Sequence, residues 1–148
     1  MPESNSTLPQ MGFASDLDLE ERTQLGNFGE FIALTDGEHL IEEGENQDSL
    51  FLVIMGSFHV QTEVGGRMVL LGTLKAGDTV GEINIFDPGL ASASVLSRSM
   101  SEVWKIDRVR LEQYLEAHPR TAARVLVHVS TQLSKRLRHM NEKVGQTF

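Results

Sequence analysis

Histidines, carboxylates and serines are the side chains of this sequence that could carry chemistry, and none of them forms a catalytic pattern. Cysteine is absent, which excludes disulfides, thiolate zinc sites and thiol nucleophiles. The sequence has no Gly-x-Ser-x-Gly motif and no His-x-His pair. His128 and His139 stand roughly three helical turns apart, too far for one metal ion. We therefore predict no catalytic residue, no metal site and no cofactor.

The bulk composition is that of one small acidic domain. The chain has 148 residues, of which 40% are hydrophobic, and its formal net charge is −8. This charge disfavours nucleic acid and anionic membranes as partners. No apolar run approaches the roughly 20 residues that span a bilayer, and the N-terminus lacks a signal-peptide pattern. We expect a cytoplasmic protein that binds neither nucleic acid nor membrane.

Short runs with strand periodicity fill the middle of the chain. Residues 49–55 form a continuous apolar run, and residues 58–63 alternate between apolar and polar side chains. Gly65-Gly66 is typical of a two-residue hairpin turn. Further strands are predicted over 31–34, 39–41, 68–74, 91–96 and 102–106. Short strands separated by glycine-rich turns predict a barrel or jelly roll.

Helices are predicted on both sides of this β region. The segment 15–25 opens with a Ser-x-x-Asp capping pattern, which predicts a short helix. Residues 1–14 are polar and predict a flexible tail. Asp107 is a predicted N-cap for a first C-terminal helix. A second helix is predicted over Pro119–Val144, because proline is tolerated in a first turn and Gly145 provides a stop.

The long predicted helix carries an apolar stripe. Leu126, Leu133 and Met140 recur at intervals of seven residues, and Leu137 belongs to the neighbouring seam. The stripe predicts a homodimer formed through this helix, and packing of the same stripe on the barrel is the alternative. Cations near its C-terminus predict a solvated face, with docking to an acidic protein as the alternative. These cations and the adjacent histidine are Lys135, Arg136, Arg138, His139 and Lys143.

The order of the motifs resembles that of the cyclic-nucleotide-binding domain family, which includes the catabolite activator and protein kinase A regulatory subunits. The resemblance covers roughly residues 17–137. It is carried by Gly37-Glu38, Gly44, Asp48–Gly56, Leu74–Ile83, His118-Pro119 and Leu133–Leu137. It implies a mainly β fold, a double-stranded β-helix (jelly roll) barrel with a short N-terminal helix and two C-terminal helices. The implied domain is 15–144, with its C-terminal helices over 107–144.

The family's phosphate-binding cassette resembles two segments of this chain. Gly81–Phe86 is similar to its first half, and Ala91–Val95 is similar to its second. The family's arginine falls on Ala91, and Asn84 stands where alanine is usual. The resemblance implies a ligand-binding cassette, vestigial if no ligand binds, made of Gly81, Glu82, Ile83, Asn84, Ala91, Ser92 and Ser94. The alternatives are that Glu82 caps the cassette's own amides and that the serines satisfy backbone groups.

The missing arginine predicts weak binding of a cyclic phosphate. A bidentate arginine meets a phosphate with two charge-assisted hydrogen bonds. Loss of one partner from such a pair typically costs on the order of 2–5 kcal/mol. Without that cation, the Glu82 carboxylate would repel the phosphate across an acidic cavity. We therefore expect that cyclic AMP and cyclic GMP do not bind at micromolar concentration.

Two functions remain open at this stage. The first is a non-catalytic signalling or regulatory domain that binds cyclic nucleotides weakly or not at all and acts through contacts with an unidentified protein. The second is a small-molecule sensor that binds a cyclic nucleotide or another metabolite in a modified pocket. A transcription regulator like the catabolite activator would need a helix-turn-helix, which the sequence does not show.

Overall fold

The computed structural model describes residues 7–143, and all bounds below refer to them. A short 3₁₀ helix covers Gly12–Ala14, and the α-helices are α1 (Leu19–Gly26), α2 (Glu82–Phe86), α3 (Arg108–Ala117) and α4 (Pro119–Lys143). The strands are β1 (Glu30–Leu34), β2 (His39–Ile41), β3 (Asn46–Gln47), β4 (Ser49–Met55), β5 (Phe58–Val64), β6 (Arg67–Leu74), β7 (Thr79–Val80), β8 (Gly89–Leu90), β9 (Ser94–Ser97) and β10 (Ser101–Asp107).

Two four-stranded antiparallel sheets form the β-roll. Their strand orders are β1-β10-β4-β7 and β2-β9-β5-β6, and β3 and β8 form a separate pair. In the first sheet β10 lies between two partners, with Trp104 opposite Phe31 on β1 and Leu52 on β4. Apart from the hairpin of β5 and β6, strands that neighbour one another in these two sheets are not consecutive in sequence, which is typical of a jelly roll. The predicted mainly β jelly-roll fold with terminal helices is confirmed.

The hairpin between β5 and β6 forms as its sequence predicts. Val64 pairs with Arg67, which leaves Gly65 and Gly66 as a two-residue turn. Their φ angles are 58° and 81°. Positive φ at both central positions is the geometry of a type I′ turn, which glycine adopts without strain.

Two hydrophobic clusters fill the interior. The larger one joins the first sheet to the helices and is centred on Trp104, whose indole N–H donates to the Gly26 carbonyl at 3.2 Å. Ala122, Val125 and Val129 contribute the buried face of α4 to it. The smaller cluster lies between the two sheets and includes Phe51, Phe58 and Val103, among others.

The N-terminal region differs from the prediction. Residues 7–14 of the predicted flexible tail are packed into the larger cluster, where Leu8, Phe13 and Ala14 are buried. The first helix begins later than the capping pattern at Ser15 suggested. Its N-cap is Asp18, which accepts from the Glu21 amide at 2.8 Å, while the Glu21 side chain accepts from the Asp18 amide. The polar composition of residues 7–14 predicts a flexible tail because the apolar residues that become buried there are few and widely spaced.

The C-terminal helices agree with the sequence where the structure describes them. Asp107 caps α3 by accepting from the Arg110 amide at 2.8 Å. Helix α3 ends at Ala117, His118 lies between the two helices, and α4 begins at Pro119. The predicted ends at Val144 and Gly145 lie outside the described residues. Over 7–143, no helix is both long and apolar enough to cross a bilayer.

Candidate functional site

A cavity of about 170 Å³ lies between the second sheet, α2 and α4. Apolar side chains of the sheet, including Val60 and Val95, form one wall. The segment from Thr79 to Asn84 and the loop before β9 form another. One residue of α4, Arg136, completes the lining. The cavity is therefore a mainly apolar recess with a few polar groups, which is typical of a small-molecule site.

Gly81 sets the position of α2 at this cavity. Its φ is 87°, in the left-handed region that favours glycine. A Cβ atom here would collide with the Ser49 carbonyl oxygen and would lie 2.9 Å from Nε2 of Gln47. Glycine is thus required both by backbone conformation and by the close approach of β4. The tight turn at Gly81 places the next residue, Glu82, at the cavity.

Glu82 is a buried carboxylate held by a cation of the same chain. Its side chain is 9% exposed, and its Oε1 forms an ion pair with Nη1 of Arg136. Its Oε2 is buried and has no hydrogen-bond partner among the described residues. Burial raises the pKa of Glu82, and the positive charge of Arg136 opposes that rise.

Arg136 links α4 to the cassette through two groups. Besides the ion pair with Glu82, its Nη2 donates to the Thr79 carbonyl oxygen at 2.6 Å. One turn earlier on α4, Gln132 accepts from the Thr79 hydroxyl at 2.6 Å. Residues four apart lie on one helix face, so Gln132 and Arg136 form a polar continuation of the buried face of α4.

Sequence reasoning missed Arg136. The sequence predicts a solvated basic surface for this residue and its neighbours, and it predicts an acidic cavity without a cation. The structure corrects both statements, because the Arg136 guanidinium neutralises the Glu82 charge inside the cavity. A signal was present in the spacing: Val125, Val129, Gln132 and Arg136 follow one another at helical intervals on a single face.

Comparison with known proteins identifies the domain. The family model described as "Cyclic nucleotide-binding domain" matches residues 31–118. This chain belongs to the cyclic nucleotide-binding domain family. The cAMP-activated global transcriptional regulator CRP of Salmonella typhimurium is 32% identical over 108 residues, covering 72% of this chain and 50% of the regulator. The chain thus spans about half the length of the curated relatives it matches.

Solved structures of cyclic nucleotide-binding domains share the fold. A domain from Methylobacillus flagellatus superposes with a TM-score of 0.81 and 24% identity, covering 87% of this chain and 73% of that one. The Thermus thermophilus catabolite activator protein superposes with a TM-score of 0.78 and 22% identity, covering 90% and 61%. The CRP relative is described as a transcriptional regulator, and the domain in this chain is of the non-catalytic, regulatory type.

Six of the seven residues predicted for the cassette line the cavity of this cyclic nucleotide-binding domain. They are Gly81, Glu82, Ile83, Asn84, Ala91 and Ser92. Ala91 is buried, and its backbone bonds to Gly44 and Glu45. The segment from Ala91 to Ala93 is not part of a strand, contrary to the predicted strand over 91–96, because these backbone bonds hold it to the loop after β2.

Ser94 is the exception among the predicted cassette residues. It is buried at the start of β9, and its hydroxyl accepts from the Glu43 amide at 3.0 Å. It contributes to a different surface depression, together with Glu43 and Glu63. This is the backbone-satisfying role that the sequence left open for the serines.

The stripe predicted for dimerisation divides between two environments. Leu126 packs against the larger core cluster, and Leu133 is half-buried. Leu137 and Met140 are 53% and 61% exposed. Only the later part of the stripe is therefore available to a partner.

Among residues 7–143, no group of three or more histidine or acidic side chains is placed to hold a metal ion.

Proposed function

We propose that this chain is a non-catalytic regulatory domain of the cyclic nucleotide-binding type that binds cyclic AMP and cyclic GMP weakly or not at all. One observation carries the proposal: the cavity has Ala91 where the family's arginine falls, and its cation, Arg136, is already paired with Glu82. This proposed weak binding differs from the description of the CRP relative as cAMP-activated. The domain acts through protein–protein contacts in the cytoplasm.

The ion pair supports this proposal on energetic grounds. A cyclic phosphate that recruited Arg136 would draw the guanidinium away from Glu82, whose Oε2 already lacks a partner among the described residues. Removing one partner from a buried charge pair typically costs about 3–5 kcal/mol. The 39% exposure of the Arg136 side chain lowers that figure here. The phosphate must offset this cost before it gains any affinity.

The output element in this proposal is α4. Its Gln132 and Arg136 bind the cassette, while Leu137 and Met140 face outward. With Arg136 engaged, α4 holds one pose without a ligand and presents a constant surface. We propose that this surface forms a homodimer and contacts a further protein, and that the net charge of −8 keeps nucleic acid and membranes away.

Titration calorimetry with cyclic AMP and cyclic GMP tests the proposal. We expect a dissociation constant above about 10 μM for both nucleotides. The Ala91→Arg variant should bind at least about 30-fold more tightly, which corresponds to about 2 kcal/mol for a restored bidentate contact. A thermal melt first confirms that this variant, altered at a buried position, is folded.

Leu90→Arg is the matched control for that experiment. Leu90 is 64% exposed and does not line the cavity, so the same charge is added one residue away from the phosphate position. This variant should bind no better than the wild type. A wild-type dissociation constant below about 10 μM would refute the proposed weak binding.

The presence of Arg136 in the cavity favours a second candidate, a sensor for a modified ligand. A small anion whose apolar part fills the recess could bind Arg136 and leave Glu82 protonated, since burial already raises the Glu82 pKa. A thermal-shift screen of nucleotides and anionic metabolites distinguishes the two functions. A ligand that binds the native state raises the melting temperature, and its effect should disappear in Arg136→Ala.

A further inference from the structure

The cavity contains one ion pair in otherwise uncharged surroundings. Among the described residues that line it, Arg136 and Glu82 are the two that carry a charge, and they are paired with each other. Because these charges cancel, an anion that entered beside the intact pair would leave one negative charge without a counterion. Such a charge is costly in a mainly apolar recess.

The two partners of this pair differ in their access to solvent. The Arg136 side chain is 39% exposed, whereas that of Glu82 is 9% exposed. The Oε2 atom of Glu82 is buried and has no hydrogen-bond partner among residues 7–143. A ligand can therefore reach the guanidinium, but the carboxylate cannot turn to water when its cation is withdrawn. A buried carboxylate in that position takes up a proton.

Arg136 is the charged group that faces Glu82 from α4. The strands β4 and β7, which adjoin α2, carry no charged side chain. On α3, Arg108 donates to the carbonyl oxygens of Ile85 and Phe86 at the opposite end of α2. Burial raises the pKa of Glu82 and the Arg136 charge opposes that rise. Withdrawal of Arg136 therefore leaves burial unopposed and raises the pKa of Glu82 further.

A carboxylate is the group that Arg136 already binds in this cavity. Its Nη1 donates to Glu82, and its Nη2 donates to the Thr79 carbonyl oxygen. A guanidinium pairs with carboxylates through a planar fork of N–H donors. The carboxylate of a ligand can thus replace that of Glu82 at Nη1, while the bond to Thr79 keeps α4 attached to the cassette.

The remaining walls of the cavity select the rest of the ligand. They are mainly aliphatic side chains, which include Ile41, Val60, Leu74 and Val95. The cavity volume is about 170 Å³, and an apolar protein cavity of about 150 Å³ accommodates benzene. A single aromatic ring or a short alkyl chain therefore matches both the size and the polarity of the recess.

We propose that the cavity binds the anion of a small apolar monocarboxylic acid, and that Glu82 takes up one proton from solvent as the ligand carboxylate replaces it at Arg136. Two carboxyl groups at one cation do not both stay ionised, so one of them keeps a proton. Protonated Glu82 then donates its O–H to the ligand carboxylate, a strong charge-assisted hydrogen bond. The inference rests on the second candidate function, a sensor for a modified ligand, and names the ligand class.

This exchange links binding to pH. Near pH 8 the ion pair with Arg136 requires an ionised Glu82, so each ligand that binds is accompanied by one proton. The dissociation constant should then rise about tenfold for each unit of pH. The domain would respond to such acids most strongly in acidic solution, without any change in the amount of the anion.

Titration calorimetry with benzoate and hexanoate tests the proposal. Near pH 8, parallel titrations in Tris and HEPES, which differ in ionisation enthalpy, should report about one proton taken up per carboxylate bound. The dissociation constant should fall about tenfold between pH 8 and pH 7. Benzamide has the ring without the charge, and acetate has the charge without an apolar body. Each should bind at least about tenfold more weakly than benzoate at pH 7.

Variants of the ion pair separate its two roles. Glu82→Gln resembles the protonated state and leaves Arg136 unpaired. It should bind benzoate at least about tenfold more tightly than the wild type at pH 8, with no proton uptake. Arg136→Ala should bind at least about tenfold more weakly than the wild type at pH 7. Arg138→Ala, on the same helix but exposed and outside the cavity lining, is the control and should match the wild type. Thermal melts first confirm that each variant is folded.

Four results would overturn the inference. Binding of benzoate without proton uptake would exclude an exchange at Glu82. Equal binding of benzamide and benzoate, or unchanged binding by Arg136→Ala, would show that Arg136 does not hold the carboxylate. Dissociation constants above about 10 mM for both acids, in the wild type and in Glu82→Gln, would exclude the ligand class.

These failures differ from a failure of the proposed function. If another metabolite raised the melting temperature of the wild type but not of Arg136→Ala, the sensor function would stand and only the carboxylate class would be wrong. A dissociation constant below about 10 μM for cyclic AMP would refute the proposed weak nucleotide binding and would leave the proton count for benzoate unchanged.

Discussion

The two halves of α4 are attached to the domain by different physics. In the first half Ala122, Val125 and Val129 are at most 2% exposed and belong to the larger hydrophobic cluster. In the second half the attachments are polar, through Gln132 and Arg136 to Thr79 and Glu82. Apolar burial is non-directional and has no competitor in solution. Ion pairs and hydrogen bonds depend on pH and on competing ligands.

Under the proposed function, the first half of α4 is the anchor and the second half is the regulatory part. The first half holds α4 on the β-roll whatever occupies the cavity. The second half is attached through Arg136, which binds the Glu82 carboxylate and the Thr79 carbonyl, and through the bond from the Thr79 hydroxyl to Gln132. A regulatory domain needs such a pairing of a stable anchor with a marginal contact, because the elements that move are drawn from the low-stability end of a structure.

The largest expected effect is on the first half of the helix. Val129→Ala removes methyl groups from a fully buried site and should lower the free energy of unfolding by about 2 kcal/mol. Val127→Ala, two residues away and 65% exposed, should change it by less than about 0.5 kcal/mol. Urea denaturation measures both. If both substitutions lowered the free energy of unfolding equally, the buried face of the first half would contribute no more to stability than its exposed face.

A smaller effect is expected from the polar attachment. Arg136→Ala should lower the free energy of unfolding by about 1–2 kcal/mol, less than for a fully buried pair because Arg136 is 39% exposed and Glu82 can take up a proton. Hydrogen exchange should become faster over residues 132–140 and stay slow around Val125. Arg138→Ala, at an exposed neighbouring position, should leave both measurements unchanged.

The opposite exchange pattern would contradict the division of α4. If Arg136→Ala left exchange over 132–140 as slow as in the wild type, the second half would be held by contacts other than the ion pair. If exchange rose along the whole helix, the two halves would open as one cooperative unit.

The smallest effect is a dependence on pH that originates at Glu82. Burial raises its pKa in the folded state above the ordinary value of 4.5, so the folded state keeps the proton to a higher pH than the unfolded chain. This contribution to stability is complete below pH 4.5 and is lost as pH rises through the folded pKa. Glu82→Gln does not titrate at this position, so its melting temperature should rise relative to that of the wild type as pH increases.

Melting temperatures of both proteins from pH 4 to 8 measure this difference, and the comparison cancels the titration of all other groups. If the melting temperature of Glu82→Gln instead fell relative to that of the wild type as pH increases, pairing with Arg136 would outweigh burial and lower the pKa of Glu82. The second half of α4 would then be held more firmly at neutral pH than the burial of Glu82 suggests.

Much of the architecture could be predicted because its signals are local. The Gly65-Gly66 turn, the cap at Asp107 and the break before Pro119 each depend on a few neighbouring residues. The N-terminal segment could not be predicted, since the burial of Leu8 and Phe13 depends on the surface of Trp104 and α4, which is assembled from distant parts of the chain.

In the cassette, too, the sequence could predict some features and not others. Its motif placed Gly81, Glu82 and Ala91 at the cavity, and all three line it. The motif assigned Ser94 to the ligand, whereas the fold uses it to bind the Glu43 amide. The helical spacing puts Arg136 on the buried face of α4, but it could not assign the residue to this cavity, because Arg136 lies 54 residues from Glu82 in sequence.

The sequence by itself determined the order of the longer strands and of the terminal helices, the absence of thiol chemistry and the lack of an arginine at position 91. These properties follow from residue identity and short-range periodicity. Only the tertiary structure decided that the cavity is electrically balanced and that α4 is divided into two differently attached halves. Both depend on which side chains from distant segments come within a few ångströms of one another, and ion pairing and burial act only at that range.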